Sequence, residues 1–326
     1  MKIKSAAARS RPGDSTRDSW ERPSYDGHVS SLSPTGTQIH LSRGDVNAQI
    51  AQVGASLRGL SVGGVDLVAR YPEDEPTPSA SGVVLVPWPN RVRDGVWRDG
   101  DTVRQLAITE PKYRNASHGL LRFTAYEIEQ ADGAATLRAT IHPQTGYPYE
   151  VATSVTYALT GTGVSVTHTL TNRSDAAAPV ALGIHPFVTI GDVDPRNLVL
   201  RVPAAAQFET DERMLPVKAM AAPDELRTGV RLGGVTLDTG FAKLARDEDG
   251  RVRHTLTAPD GRRLTLWQGE GFDFVQVYTT TNYPGQKLAV AIEPMTAPAD
   301  ALNSRIGIRR LARGETWDLE WGIELG

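Results

Sequence analysis

The chain has no cysteine among its 326 residues. That excludes a disulfide framework, a thiolate metal site and a cysteine nucleophile. It has no dense run of Lys and Arg, and its formal net charge is -3, so it presents no basic stripe to a nucleic acid. No stretch approaches the apolar length of a membrane span, and the N-terminal "MKIKSAAARSRPGDSTRD" is basic without the apolar core of a secretory signal. A cytoplasmic protein with no nucleic-acid and no membrane partner is expected, although a chain without cysteine suits the periplasm equally.

Other absences narrow the chemistry. There is no GxGxxG after a strand, no GxxxxGK[ST] and no GxSxG, which argues against dinucleotide binding, P-loop and hydrolase-elbow mechanisms. His118 and His185 are far apart in sequence and neither lies in an HxxxH or HExxH frame, so no spacing supports zinc. No segment keeps a helical apolar period for more than a turn or two, and no internal repeat is visible at solenoid or propeller spacing.

What is present reads as sheet. The 31 glycines and 21 prolines recur as punctuation between short segments, a pattern of many turns and many strands. In "YEVATSVTYALTGTGVSVTHTLTNRSD", Val151, Val155, Tyr157 and Leu159 alternate along one strand and Val164, Val166, His168 and Leu170 along the next, with "GTG" as the turn. "VRHTLTAPDGRRLTLWQG" predicts a second hairpin turning at Pro259-Asp260-Gly261, and "ETWDLEWGIEL" alternates again at the C-terminus. Residues 71–82 and 203–234 lack alternation and are expected to be long loops. Residues 1–34 are rich in Ser, Arg, Asp, Pro and Gly, too poor in apolar positions to offset their ordering entropy. The expectation is a disordered polar tail over 1–34 and a single all-β domain, a large antiparallel β-sandwich, over 35–326.

Four segments place polar residues at the ends of apolar runs: "LVPWPNRVRDGVW", "SHGLLRF", "LGIHPF" and "VAIEPMTAPADALN". Glu293 closes the apolar run "LAVAIEP", where desolvation would raise its pKa toward that of a useful base; a strand-end ion pair with an arginine is the ordinary alternative. His185 is followed by Pro186, which removes a ladder donor and disfavours continuing a central strand, so the ring is expected to project where the interior opens; a packed core histidine is the other reading. Asn90 and Arg91 fit either a solvated turn or a fork for hydroxyls. His118-Gly119 admits close backbone approach to a ligand, and Asp238 in "LDTGF" equally suits an Asx turn.

Taken together and in order, "PWPNRVRDGVW", "SHGLLRF", "TGYPYEV", "ALGIHPF", "LDTGF" and "AIEPMTAPADALNS" resemble the aldose 1-epimerase (mutarotase) family, covering most of residues 36–325. The resemblance implies a galactose-mutarotase-type sandwich acting on a free aldose such as glucose or galactose, without cofactor or metal, as a monomer or homodimer. It implies His185 as general acid and Glu293 as general base, with Glu293 ionised and His185 protonated at the start. Arg91, His118 and Asp238, with Asn90 beside them, would hold sugar hydroxyls, and Gln268 or Tyr278 are further candidates for the pocket wall. "HGL" and "GIHPF" depart from the HGG and NHSYF-like segments of the best-known galactose mutarotases and look closer to the bacterial aldose 1-epimerase-like branch. Arg91, Arg93 and Arg122 keep a hexose-6-phosphate epimerase as an alternative, and a non-catalytic sugar-binding or sensor protein is another. A glycosidase needs two carboxylates about the scissile bond, and these segments offer one.

Overall fold

The computed structural model describes residues 33–131 and 133–326; the tail expected over 1–34 lies outside them except for its last two residues. Ser33–Gly326 form one compact unit. Strands account for 51% and helix for 6%, so the alternation read from sequence decides the class. Among the described residues no helix is long and apolar enough to cross a membrane.

Two large antiparallel sheets enclose one core. The first has nine strands: Glu127–Ala131, Ala134–Ile141, Val151–Leu159, Gly163–Asn172, Thr316–Leu325, Arg263–Gln268, Val252–Thr257, Val199–Arg201 and Val230–Arg231, in that spatial order. The C-terminal strand thus inserts between the two predicted hairpins and pairs with both. Their registers match the sequence pattern: Leu159 faces Val164 across the first turn, and Val151, Val155, Tyr157, Val166, His168 and Leu170 are all buried on the inward face.

The second sheet runs Pro216–Ala221, Ala204–Thr210, Asp238–Leu244, Phe274–Thr280, Ala289–Met295, Gly183–Ile184 and Val84–Leu85, with Phe187–Val188 also paired to Ala289–Met295. Its apolar side chains, including Phe241, Val275, Val277, Val290 and Ile292, join Leu137, Val155, Tyr157, Val166, Leu264 and Trp321 of the first sheet in one continuous cluster. Face-to-face burial of two such sheets is the dominant favourable term in the fold. A third sheet of four strands, Gln38–Arg43, Val46–Ala51, Ser56–Val62 and Val65–Asp66, precedes both in the chain.

One loop expectation is overturned. Within 203–234, Ala204–Thr210 and Pro216–Ala221 form an antiparallel hairpin with a register shift at Glu209/Thr210, followed by a short helix, Asp224–Thr228. Pro216–Ala221 is an edge strand with nearly every side chain exposed. With no buried face there is no alternation to read, and a proline at the first strand position is compatible with an edge. Residues 71–82 are irregular apart from a single 3-10 turn, Pro78–Ala80, as expected.

Candidate active site

The site stands on one face of the second sheet. Gly183 pairs with Met295 and Phe187 with Ala291, and the same register on both sides of the interruption sets His185 opposite Glu293. Side chains directly opposite on antiparallel strands share a face, and His185 Nε2 lies 3.3 Å from Glu293 Oε1. Pro186 interrupts the ladder at this point, and the His185 carbonyl instead accepts from Gly82 N–H. On its other side, Glu293 pairs with Gln276, which pairs in turn with Gly240. Asp238 pairs with Tyr278 one step along, and Gln276 donates through Nε2 to Asp238 Oδ1 at 2.6 Å. Asp238 is therefore a strand residue held by an amide, with no Asx turn.

A second structural unit brings Arg91 and His118 to the same place. Arg91–Arg93 pairs with Asn115–Ser117, and His118 N–H donates to the Asn90 carbonyl. Gly119 has φ +71 and a Cβ there would lie 2.1 Å from the Val86 carbonyl oxygen. The glycine after His118 therefore admits Val86, where the sequence suggested a ligand. Arg91 donates to both carboxylate oxygens of Glu110, at 2.9 and 3.0 Å, and to Asn90 Oδ1 at 3.2 Å. Asp300 holds this unit in place: its N–H donates to the Arg91 carbonyl and its Oδ1 accepts from Arg93 N–H.

A cavity of about 400 Å³ is lined by Asn90, Arg91, His118, His185, Asp238 and Tyr278 together with Glu110, Lys112, Tyr113 and Arg122. That is a fitting size for a small ligand. A larger groove, about 490 Å³, lies along Glu127, Arg138, His142, Ser154, Thr169 and Thr171 on and beside the nine-stranded sheet, away from the His185–Glu293 contact. Glu293 is not on the cavity wall: it is 2% exposed and is in contact with His185. The His118 and His185 rings meet edge to face with centroids 5.6 Å apart, and Phe187 stacks on His185 at 5.3 Å. Nδ1 of each histidine is buried without a partner among the described residues, as it is in the core histidines His168 and His254.

Burial sets the electrostatics. It pushes the Glu293 carboxyl well above the usual range, the Asp238 charge adds to this and Arg91 opposes it. It pushes His185 down to about 4, with the Arg122 and Arg91 charges acting in the same sense. His118 is driven well down by burial and by His185, Arg122 and Arg91. The two shifts run in opposite directions, the carboxyl upward and the imidazole downward, because burial withdraws both charged forms from water.

The chain matches the aldose 1-epimerase family model over residues 37–324. It belongs to the aldose 1-epimerase family. It is 30% identical over 305 residues to the uncharacterized protein YihR of Escherichia coli K12, covering 90% of this chain and 95% of that one. Among solved structures it resembles a galactose mutarotase-like protein of Clostridium acetobutylicum (TM-score 0.78, 19% identity, 89% of this chain and 95% of that one). It also resembles a galactose 1-epimerase of Lactobacillus acidophilus (TM-score 0.74, 18% identity, 89% and 94%). At these identities the structures share the fold.

Of the residues singled out from sequence in this epimerase-family chain, His185, Glu293, Arg91, His118, Asp238, Asn90 and Tyr278 converge. Gln268 does not: it lies in the nine-stranded sheet, accepting at Oε1 from His254 Nε2 at 3.0 Å and donating to the Phe272 and Phe274 carbonyls. Arg93 is committed to Asp211 and Asp300. Sequence reasoning missed Glu110 and Gln276. Gln276 carried a signal, a polar residue within the apolar alternation of "FVQVYTT"; Glu110 sits in an irregular segment and carried none.

Proposed function

We propose that this protein is an aldose 1-epimerase that interconverts the α and β anomers of an aldose such as glucose or galactose. The observation that carries the reading is the His185–Glu293 pair, 3.3 Å apart across adjacent strands, beside a cavity lined by Arg91, His118 and Asp238. Anomer exchange needs a proton taken from the C1 hydroxyl and another given to the ring oxygen. The ring then opens to an aldehyde, the C1–C2 bond rotates and the ring closes on the other face.

Glu293 is the base at the C1 hydroxyl and His185 the acid at the ring oxygen. Their contact must open for the sugar to reach Glu293, which is buried behind His185. Ring opening takes the pair from Glu293 ionised and His185 protonated to Glu293 protonated and His185 neutral, and closure on the other face runs the same proton transfers in reverse. Arg91, fixed by Glu110, and Asp238, fixed by Gln276, present hydroxyl partners that are already oriented, which lowers the ordering cost of binding.

The test is anomer exchange followed by NMR or polarimetry with several aldoses, against the spontaneous rate and against Glu293→Gln. Acceleration that the variant loses supports the reading. A wild-type protein that binds sugar without accelerating exchange makes it a binding protein instead.

A further inference from the structure

Beside the main core stands a second, smaller apolar cluster of Ala69, Tyr71, Phe187, Tyr283, Ala289 and Ala291, with Tyr278 of the cavity wall packed against it. Phe187 links this cluster to the site. Its ring stacks on His185 with centroids 5.3 Å apart and planes 25° from parallel. It also meets Tyr283 at 4.6 Å and Tyr278 edge to face at 6.2 Å.

Because Pro186 breaks the ladder, the backbone on either side of it must be held from elsewhere. Two segments do this. Gly82 N–H donates to the His185 carbonyl at 2.7 Å and His185 N–H to the Val83 carbonyl at 3.3 Å, while Ala69 N–H donates to the Phe187 carbonyl at 2.9 Å. Tyr283 ties the two segments together. Its hydroxyl donates to the Ala69 carbonyl at 2.9 Å and lies 2.9 Å from Ser81 Oγ. A phenol carries one hydrogen, so with that hydrogen on Ala69 the serine is the donor in the second bond. The Ser81 carbonyl in turn accepts from Ser56 Oγ at 2.6 Å, and a Cβ on Gly82, at φ +69, would lie 2.2 Å from the Leu57 carbonyl oxygen. Residues 81–82 are thus pressed directly onto the strand Ser56–Val62, which gives Tyr283 a firm anchor.

We propose that Tyr283 is the positioning residue for His185. Through its ring on Phe187 and its hydroxyl on Ala69 and Ser81, it sets the plane of the imidazole and the backbone from which that imidazole reaches the sugar's ring oxygen. The inference rests on the epimerase reading for the role of His185. Tyr283 is buried and is not on the cavity wall, so it touches no sugar. Its influence falls on the proton transfer and leaves sugar binding to Arg91 and Asp238. A reacting group misplaced by about 1 Å can cost about 10²-fold in rate.

The experiment is steady-state anomer exchange on glucose and galactose with the full-length wild type, Tyr283→Phe, Ser81→Ala and, as a control, Tyr147→Phe. The control removes a comparable buried bond, from the Tyr147 hydroxyl to the Pro179 carbonyl at 2.8 Å, away from the cavity. Tyr283→Phe should lower kcat by about tenfold or more while KM stays within about twofold. Ser81→Ala should lower kcat in the same sense by a smaller factor, and Tyr147→Phe should leave both constants near wild type.

An unchanged kcat in Tyr283→Phe, an effect confined to KM, or an equal loss in Tyr147→Phe overturns the proposal while the epimerase reading stands. If the wild type accelerates no exchange, the epimerase reading fails and imidazole NMR decides the positioning separately. His185 resonances that move in Tyr283→Phe while those of His168 and His254 stay in place uphold it; an unmoved His185, or all three moving together, overturns it. Should Tyr283→Phe fail to fold, Ser81→Ala carries both measurements, because it removes one of the two hydroxyl contacts and keeps the ring.

Discussion

Lowering the pH from 8 to 5 should cost this fold several kcal/mol, through histidines that are buried uncharged. Burial holds His185 and His254 down to about 4 and His168 to about 3, and drives His118 well below the ordinary value. Unfolded, each returns to about 6.5. A folded-state pKa below the unfolded one gives stability that is intact above about pH 6.5 and lost as the pH falls toward the folded value. At pH 5 that loss is about 2 kcal/mol for each of the three groups with a stated value, against a typical total stability of about 5–15 kcal/mol.

Glu293 works in the opposite sense. Its folded pKa is raised, so its contribution is present below about pH 4.3 and lost as the pH rises. Carboxylates held low by arginines, such as Asp194 and Asp260, titrate below this window. The interval from pH 6.5 to 5 therefore reports imidazoles against one carboxyl.

The assay is urea unfolding at half-unit steps from pH 8 to 5, comparing wild type with His254→Gln. His254 lies outside the cavity, its Nε2 against Gln268 Oε1. Whatever the variant's absolute stability, it should lose about 2 kcal/mol less than wild type across the interval. Identical pH dependences in the two proteins, or a wild-type stability that is flat from pH 8 to 5, would refute the reasoning.

Other consequences can be checked as directly. His185→Asn and Glu293→Gln should each lower anomer exchange by roughly 10²–10⁴-fold while calorimetric sugar binding persists; normal exchange in either variant removes its assigned role. Arg91→Gln leaves Glu110 without its two-point partner and should raise KM by about tenfold or more, an effect that steady-state kinetics on the preferred aldose will show or exclude. Gly119→Ala places a Cβ 2.1 Å from the Val86 oxygen at φ +71 and should destabilise by about 1–3 kcal/mol or more; unchanged denaturant midpoints would mean that the His118 turn is not built this way.

How much of this was legible in the sequence differs from element to element. The strands Val151–Leu159 and Gly163–Asn172 were readable because one face is buried and one is not, and a period of two survives in the residue order. The edge strand Pro216–Ala221 was not, because it buries neither face and only its backbone pairing defines it. His185 and Glu293 stood out as polar groups at the ends of apolar runs, and the family resemblance gave them roles. Sequence could not show that 108 positions of chain fold back so that the two face each other.

That convergence, and everything that depends on it, belongs to the tertiary structure. The sequence by itself determined the all-β class, the main hairpins and the residue types able to move a proton. Register put His185 opposite Glu293, burial pushed the carboxyl's pKa up and the imidazole's down, and packing assigned Glu110 to Arg91 and Asp211 to Arg93. Local patterns encode which face of a strand is buried. Which charges meet, how much water they keep and which hydrogen bonds they make depend on residues tens to hundreds of positions apart, and those three set the pKa.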